Sequence, residues 1–124
     1  MATITATATA RTLQASASNA ASGTTTGTAI DLRTDLGLLV TAKVTNGATG
    51  PTVACTFRLE TSNDNSTWFT YFEATAQTGN NVVTQWAVTL GPEVMYCRSV
   101  FTGNAGQAVT VICHGQELTS LSSA

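Results

Sequence analysis

The stretch GLLVTAKVTNGATGPTVACTFRLE, residues 37–60, decides how the chain is read. From Gly37 to Thr45, Leu38, Val40, Ala42 and Val44 alternate with Leu39, Thr41, Lys43 and Thr45. Asn46 to Pro51 is a loop by its turn residues. From Thr52 to Glu60, Val53, Cys55, Phe57 and Leu59 share one face, and Thr52, Thr56, Arg58 and Glu60 share the other. Period two with one apolar and one polar face is the pattern of a strand that is wet on one side.

The same pattern continues in both directions. Residues 28–33 predict a short strand, and Thr67–Ala74, Val82–Leu90, Val94–Phe101 and Gln107–His114 predict four more. Turn residues separate them at Ser62–Ser66, Gln77–Asn81, Gly91-Pro92 and Thr102–Gly106. Helical spacing is not sustained in any window, and Thr, a strand former, makes up roughly a fifth of the chain. The expected fold is all-β, an antiparallel β-sandwich or jelly roll of about seven or eight strands. Val44-x-x-Gly47-x-x-Gly50-x-x-Val53 is echoed by Val100-x-x-Gly103-x-x-Gly106-x-x-Val109, which suggests two hairpins with similar turns.

Composition changes sharply before Ile30. Residues 1–29 are almost entirely Ala, Thr, Ser and Gly. Thr3 to Ala10 has strand period, but its side chains are too small to bury much area, so in isolation it is expected to be disordered. It could still add to an exposed sheet edge through main-chain hydrogen bonds. The division is therefore an extended N-terminal arm at 1–29, a β-sandwich domain at 30–118, and a polar, flexible C-terminal tail at 119–124. The arm's anchors for a partner are Ile4, Arg11 and Leu13.

The 124 residues amount to one domain, and only 10% are charged, for a net charge of −2. So little charge protects weakly against association. Arg11, Arg33, Lys43, Arg58 and Arg98 are spread along the sequence, which argues against nucleic acid as a partner. No apolar run is long enough for a membrane span. The N-terminus lacks the basic region of an ordinary signal peptide. Cys55, Cys97 and Cys113 read as three small buried hydrophobes in a reducing compartment, with a disulfide possible only between neighbouring strands.

No motif for catalysis or for a cofactor emerges. His114 has no nearby nucleophile and carboxylate in sequence, and on a strand it points away from Cys113, so the two would not share a metal. Asn63-Asp64-Asn65-Ser66 offers one carboxylate among amides, a weak calcium set. Trp68, Tyr71, Trp86 and Tyr96 could form a stacking platform for sugar. Trp68 and Phe72 are expected on one strand face, Phe69 and Tyr71 on the other.

The Ala/Thr/Ser-rich N-terminus, the run from Leu36 to Pro51 and the segment Ser62-Asn-Asp-Asn-Ser-Thr-Trp68 resemble small structural proteins of tailed bacteriophages, most of all jelly-roll capsid decoration, or cementing, proteins. The resemblance spans most of residues 28–118. It implies a virion protein without catalytic residues or cofactor, made in the cytoplasm of a host bacterium. Such a protein would be a homo-oligomer, a dimer or trimer, on the outside of an icosahedral head, bridging major capsid proteins. On that reading residues 1–27 could be removed with loss of capsid binding and no loss of fold. The alternatives are a carbohydrate-binding or adhesin module using Trp68, Tyr71 or Trp86, and a tail or neck component.

Overall fold

The computed structural model describes residues 3–123, so Met1 and Ala2 of the arm and Ala124 of the tail lie outside the described residues. Nine strands form two antiparallel sheets: β1 (Ile4–Asn19), β2 (Thr24–Thr26), β3 (Ile30–Asp31), β4 (Gly37–Asn46), β5 (Thr56–Ser62), β6 (Phe69–Thr75), β7 (Val83–Leu90), β8 (Tyr96–Thr102) and β9 (Val109–Ser123). Sheet one has the order β1-β9-β4-β7, and sheet two has β2-β8-β5-β6. β3 pairs with β8 on the same edge as β2, so the two act as one interrupted strand. Among the described residues β5–β6 is the one hairpin within a sheet. Apart from the short β2–β3 link, every other connection passes from one sheet to the other, which makes the sandwich a jelly roll.

β4 realises its sequence pattern. Leu38, Val40, Ala42 and Val44 are buried, while Leu39, Thr41 and Lys43 are exposed. From sheet two, Phe57, Leu59 and Phe101 fill the facing half of the core, and Trp86 stacks on Phe57 with ring centroids 5.5 Å apart. The strand expected over 52–60 starts later. Val53 is exposed and makes only an isolated bridge to Ala105, because the chain is crossing between sheets there. The echoed Val/Gly segments are likewise crossovers and not hairpins. They meet at one end of the sandwich, where Thr52 N–H donates to the Ala105 carbonyl at 2.8 Å.

The segment read as an arm is built into sheet one. β1 runs antiparallel to β9 from Ile4 opposite Ser123 to Asn19 opposite Val109. Leu13 is 1% exposed and belongs to the core. Gly115 on β9 leaves room for it, since a Cβ there would lie 3.1 Å from Leu13 Cδ1. Asn19 is also buried. Its amide and that of Asn104 bond each other, and Asn104 Nδ2 donates to the Gln107 carbonyl at 2.9 Å. This pair ties the turn after β1 to the β8–β9 loop. Residues 119–123, read as a flexible tail, are the end of β9 and pair with residues 4–7. The polarity of Ser120 and Ser122 matches their exposure, which a two-stranded ribbon allows.

The three thiols are free and buried. Burial pushes Cys55 up to about 11, and Cys97 and Cys113 to about 12.

Candidate functional site

Three surface features stand out, and the first is the ribbon at the end of sheet one. β4 stops pairing with β9 at Gly37 opposite Leu118. Beyond that point Ile4–Thr7 and Ser120–Ser123 pair with each other, and among the described residues no third strand joins them. Residues directly opposite in an antiparallel pair share a face. Ala8 faces Leu118 and Ala6 faces Leu121, with Thr119 as the extra residue of a bulge on β9. One face of the ribbon is therefore Ile4, Ala6, Ala8, Leu118 and Leu121. The other carries the hydroxyls of Thr5, Thr7, Ser120 and Ser122. Ile4 is 72% exposed and Leu121 55%. The apolar stripe continues onto the outer face of sheet one, where Leu36, Leu39 and Leu118 line a shallow trough of about 340 Å³.

The three expected arm anchors have different fates. Ile4 stands free on the ribbon, and Leu13 packs into the chain's own core, where it is not available to a partner. Arg11 donates to Glu117 Oε1 at 2.6 Å. Burial raises the Glu117 carboxyl above its ordinary value. Arg11 opposes that shift, and the neighbouring Asp35 adds to it.

The second feature is a charged cluster on the outer face of sheet two. Arg98 Nε donates to Glu60 Oε1 at 2.7 Å, and Arg58 Nε donates to Glu60 Oε2 at 3.1 Å. Arg58 also approaches Glu73 at 3.8 Å. The Arg98 guanidinium lies 4.3 Å from the centroid of the Trp68 ring, a cation–π contact. Arg33 sits over Tyr96 and forks onto Asp31, and its hydrogen bonds hold the Asp31 carboxyl down to about 2. Scattered in sequence, two of the chain's five cations, Arg58 and Arg98, meet on Glu60, and Arg33 is held separately by Asp31. The signal available in the sequence was the alternation of Arg58 with Glu60, since Arg98 lies 38 residues further on.

Neither indole offers an open stacking platform. Trp68 is half-buried with Arg98 on its ring, and Trp86 is half-buried against Phe57. Trp68 and Phe72 do not share a face as expected. Glu60 pairs with Thr70 while Leu59 pairs with Phe72, so Tyr71 is a bulge residue that shifts the alternation by one. Phe72 packs against the core, and Tyr71 is exposed with its hydroxyl 3.5 Å from the Thr89 carbonyl. The Asp64 carboxylate is engaged by its own turn. It accepts from the Ser66 and Thr67 N–H groups at 2.9 and 2.8 Å and from the Ser62 hydroxyl, which hold it below the usual carboxylate range.

The third feature is a wider trough of about 560 Å³ on the outer face of sheet one, with Thr41, Lys43, Gln85, Trp86, Ile112 and His114 in its lining. Among the described residues no group of three or more His, Cys, Asp or Glu is placed to hold a metal ion, and no helix is long and apolar enough to cross a membrane.

No protein-family model matches the chain, and no curated protein sequence does. Solved structures do match. A structure of infectious bursal disease virus, Gt strain, aligns at TM-score 0.53 and 10% identity, covering 92% of this chain and 32% of that one. A structure of Bacillus endospore appendages, described as disulfide-linked pili, aligns at TM-score 0.49 and 14% identity, covering 95% and 88%. A family 16 carbohydrate-binding module aligns at TM-score 0.46 and 9% identity, covering 86% and 74%. At these identities the likeness to the viral protein is one of fold. The chain is an all-β jelly roll similar in fold to a viral protein three times its length.

Proposed function

We propose that the chain is a structural virion protein, a capsid decoration or cementing protein that binds the outside of a tailed-phage head and bridges neighbouring major capsid proteins. The observation that carries the reading is the amphipathic ribbon. It projects roughly 13 Å past the sandwich, taking four residues at about 3.3 Å each. It holds Ile4 and Leu121 largely in water. Two strands alone are marginally stable, and a third strand or a covering surface stabilises them. Fully burying a side chain of that size contributes roughly 1.5–3 kcal/mol, modest for one copy. On a symmetric lattice such contacts repeat, and avidity multiplies them. A chain with 10% charged residues places little electrostatic cost on close contact.

The ribbon also sets the deletion that tests the proposal. Removing residues 1–27 would take out Leu13, Asn19 and the strand that flanks β9, so the deletion should stop at Ala8. A chain lacking residues 2–8 should keep its fold by circular dichroism and lose binding to purified heads in co-sedimentation. Undiminished binding would sink the proposal.

A second reading, a carbohydrate-binding or adhesin module, is favoured by the wider trough. Lys43, Gln85 and His114 edge a concavity large enough for a sugar ring. Saccharides should then bind in titration calorimetry in a Lys43-dependent manner. No binding across a glycan panel would remove this reading.

A further inference from the structure

The sandwich has four sheet edges, and two are blunted along their length. β2 and β3 are short and interrupted. β6 carries the Tyr71 bulge and Glu73. β7 is met near one end, where the Tyr71 hydroxyl lies 3.5 Å from the Thr89 carbonyl. Bulges, charge and short length are the usual means by which edges avoid pairing with other chains.

The edge of β1 is neither bulged nor short over Ile4–Thr12. In that stretch β1 itself contains no bulge; the irregularity at Thr7/Ala8 is the extra Thr119 on β9. Its residues are small and uncharged apart from Arg11, whose guanidinium is held by Glu117. The free edge ends at Leu13, where the carbonyl accepts from Thr28 N–H at 2.9 Å.

We propose that this edge binds the same edge of a second copy of the chain, antiparallel, about a two-fold axis at Ala8. That axis uses the whole free stretch. It sets Ile4 opposite the partner's Thr12, Thr5 opposite the partner's Arg11, Ala6 opposite the partner's Ala10 and Thr7 opposite the partner's Thr9. On one face Thr7 meets Thr9 and Thr5 meets Arg11, and on the other alanines meet at the centre with Ile4 against Thr12 at the ends, so the pattern is complementary to itself, as an isologous contact requires. Each four-stranded sheet becomes half of a continuous eight-stranded one. The overhanging Ile4–Thr7 segment gains its third strand from the partner's Thr9–Thr12. No pair sets like charges together. The dimer does not depend on what surface the protein coats, and a dimer that fails to bind heads would refute the decoration role and leave this inference standing.

The test uses the full chain with single cysteines at Thr7, Ala8 and Thr9, in a background where the native thiols are buried. Sedimentation velocity should show a concentration-dependent dimer. Mild oxidation should give a disulfide-linked dimer, strongest for A8C, next for T7C and T9C, and absent for K43C on the outer face. A8K should weaken the dimer at least tenfold while leaving the circular dichroism spectrum of the monomer unchanged. A monomer at every concentration, a trimer, or a dimer that none of the three cysteines cross-links would overturn the assignment.

Discussion

Leu13→Ala separates a strand that is part of the body from an arm that merely hangs off it. Leu13 is 1% exposed and lies against Leu38 across the glycine at 115. Removing three carbons from a buried leucine forfeits roughly 2.4 kcal/mol of transfer free energy, at about 0.8 per methylene. The cavity left behind adds to that, and Leu→Ala changes at such sites cost about 2.7–5 kcal/mol. A value near 3 kcal/mol, divided by an unfolding entropy of roughly 0.26 kcal/mol per kelvin for 124 residues, lowers Tm by about 12 °C. Ile4→Ala is the control. The same strand carries it, but it is 72% exposed, and the change should stay within about 0.5 kcal/mol, or roughly 2 °C. Differential scanning calorimetry of both variants decides the matter. If Leu13→Ala melts within 2 °C of the parent, residues 4–19 are not packed as described, and the deletion limit at Ala8 falls with them.

Other expectations rest on separate contacts. Asn104→Ala removes the buried acceptor of Asn19 Nδ2, which keeps the Gly23 carbonyl, and the donor to the Asn19 and Gln107 carbonyls, and should cost about 1–3 kcal/mol in urea unfolding. Arg11→Ala leaves the Glu117 carboxylate buried without its cation. The pair is partly exposed on the Arg11 side, so the expected loss at pH 7 is about 1–2 kcal/mol, below the range for a fully buried pair. The folded Glu117 binds its proton more tightly than the unfolded one. Its linkage therefore favours folding below its ordinary value of 4.5 and is lost as pH rises through the raised folded value. The penalty of Arg11→Ala should accordingly shrink as the pH is lowered towards 4, which thermal melts against pH would show. Cys55, Cys97 and Cys113 should resist iodoacetamide at pH 8 in the native protein and react together in urea, read by mass spectrometry; rapid native labelling of any one would contradict its burial.

The sequence signals that worked were those of a half-buried sheet. β4 and the first half of β5 alternate large apolar with polar side chains, and the structure turns them as the alternation requires. β1 escaped because its period is written in Ala and Thr, with Leu13 its only large buried apolar side chain. The end of β9 escaped for a related reason. Where a ribbon is wet on both faces, burial imposes no pattern, and the residues from Thr119 onward read as a tail. Tyr71 shows a third limit, since a single bulge inverts which aromatics face inward, and a bulge leaves no mark in an aromatic-rich run. The Arg58–Glu60–Arg98–Trp68 cluster depends on β8 lying beside β5, a pairing that no local window contains.

The decoration role and the ribbon's part in it are tested most directly by electron cryo-microscopy of phage particles that carry this chain. The account predicts copies on the outer surface of the head, with density for Ile4–Ala8 and Leu118–Leu121 continuous with the major capsid protein. Copies absent from the head, or copies held there by another face with the ribbon pointing into solvent, would contradict it.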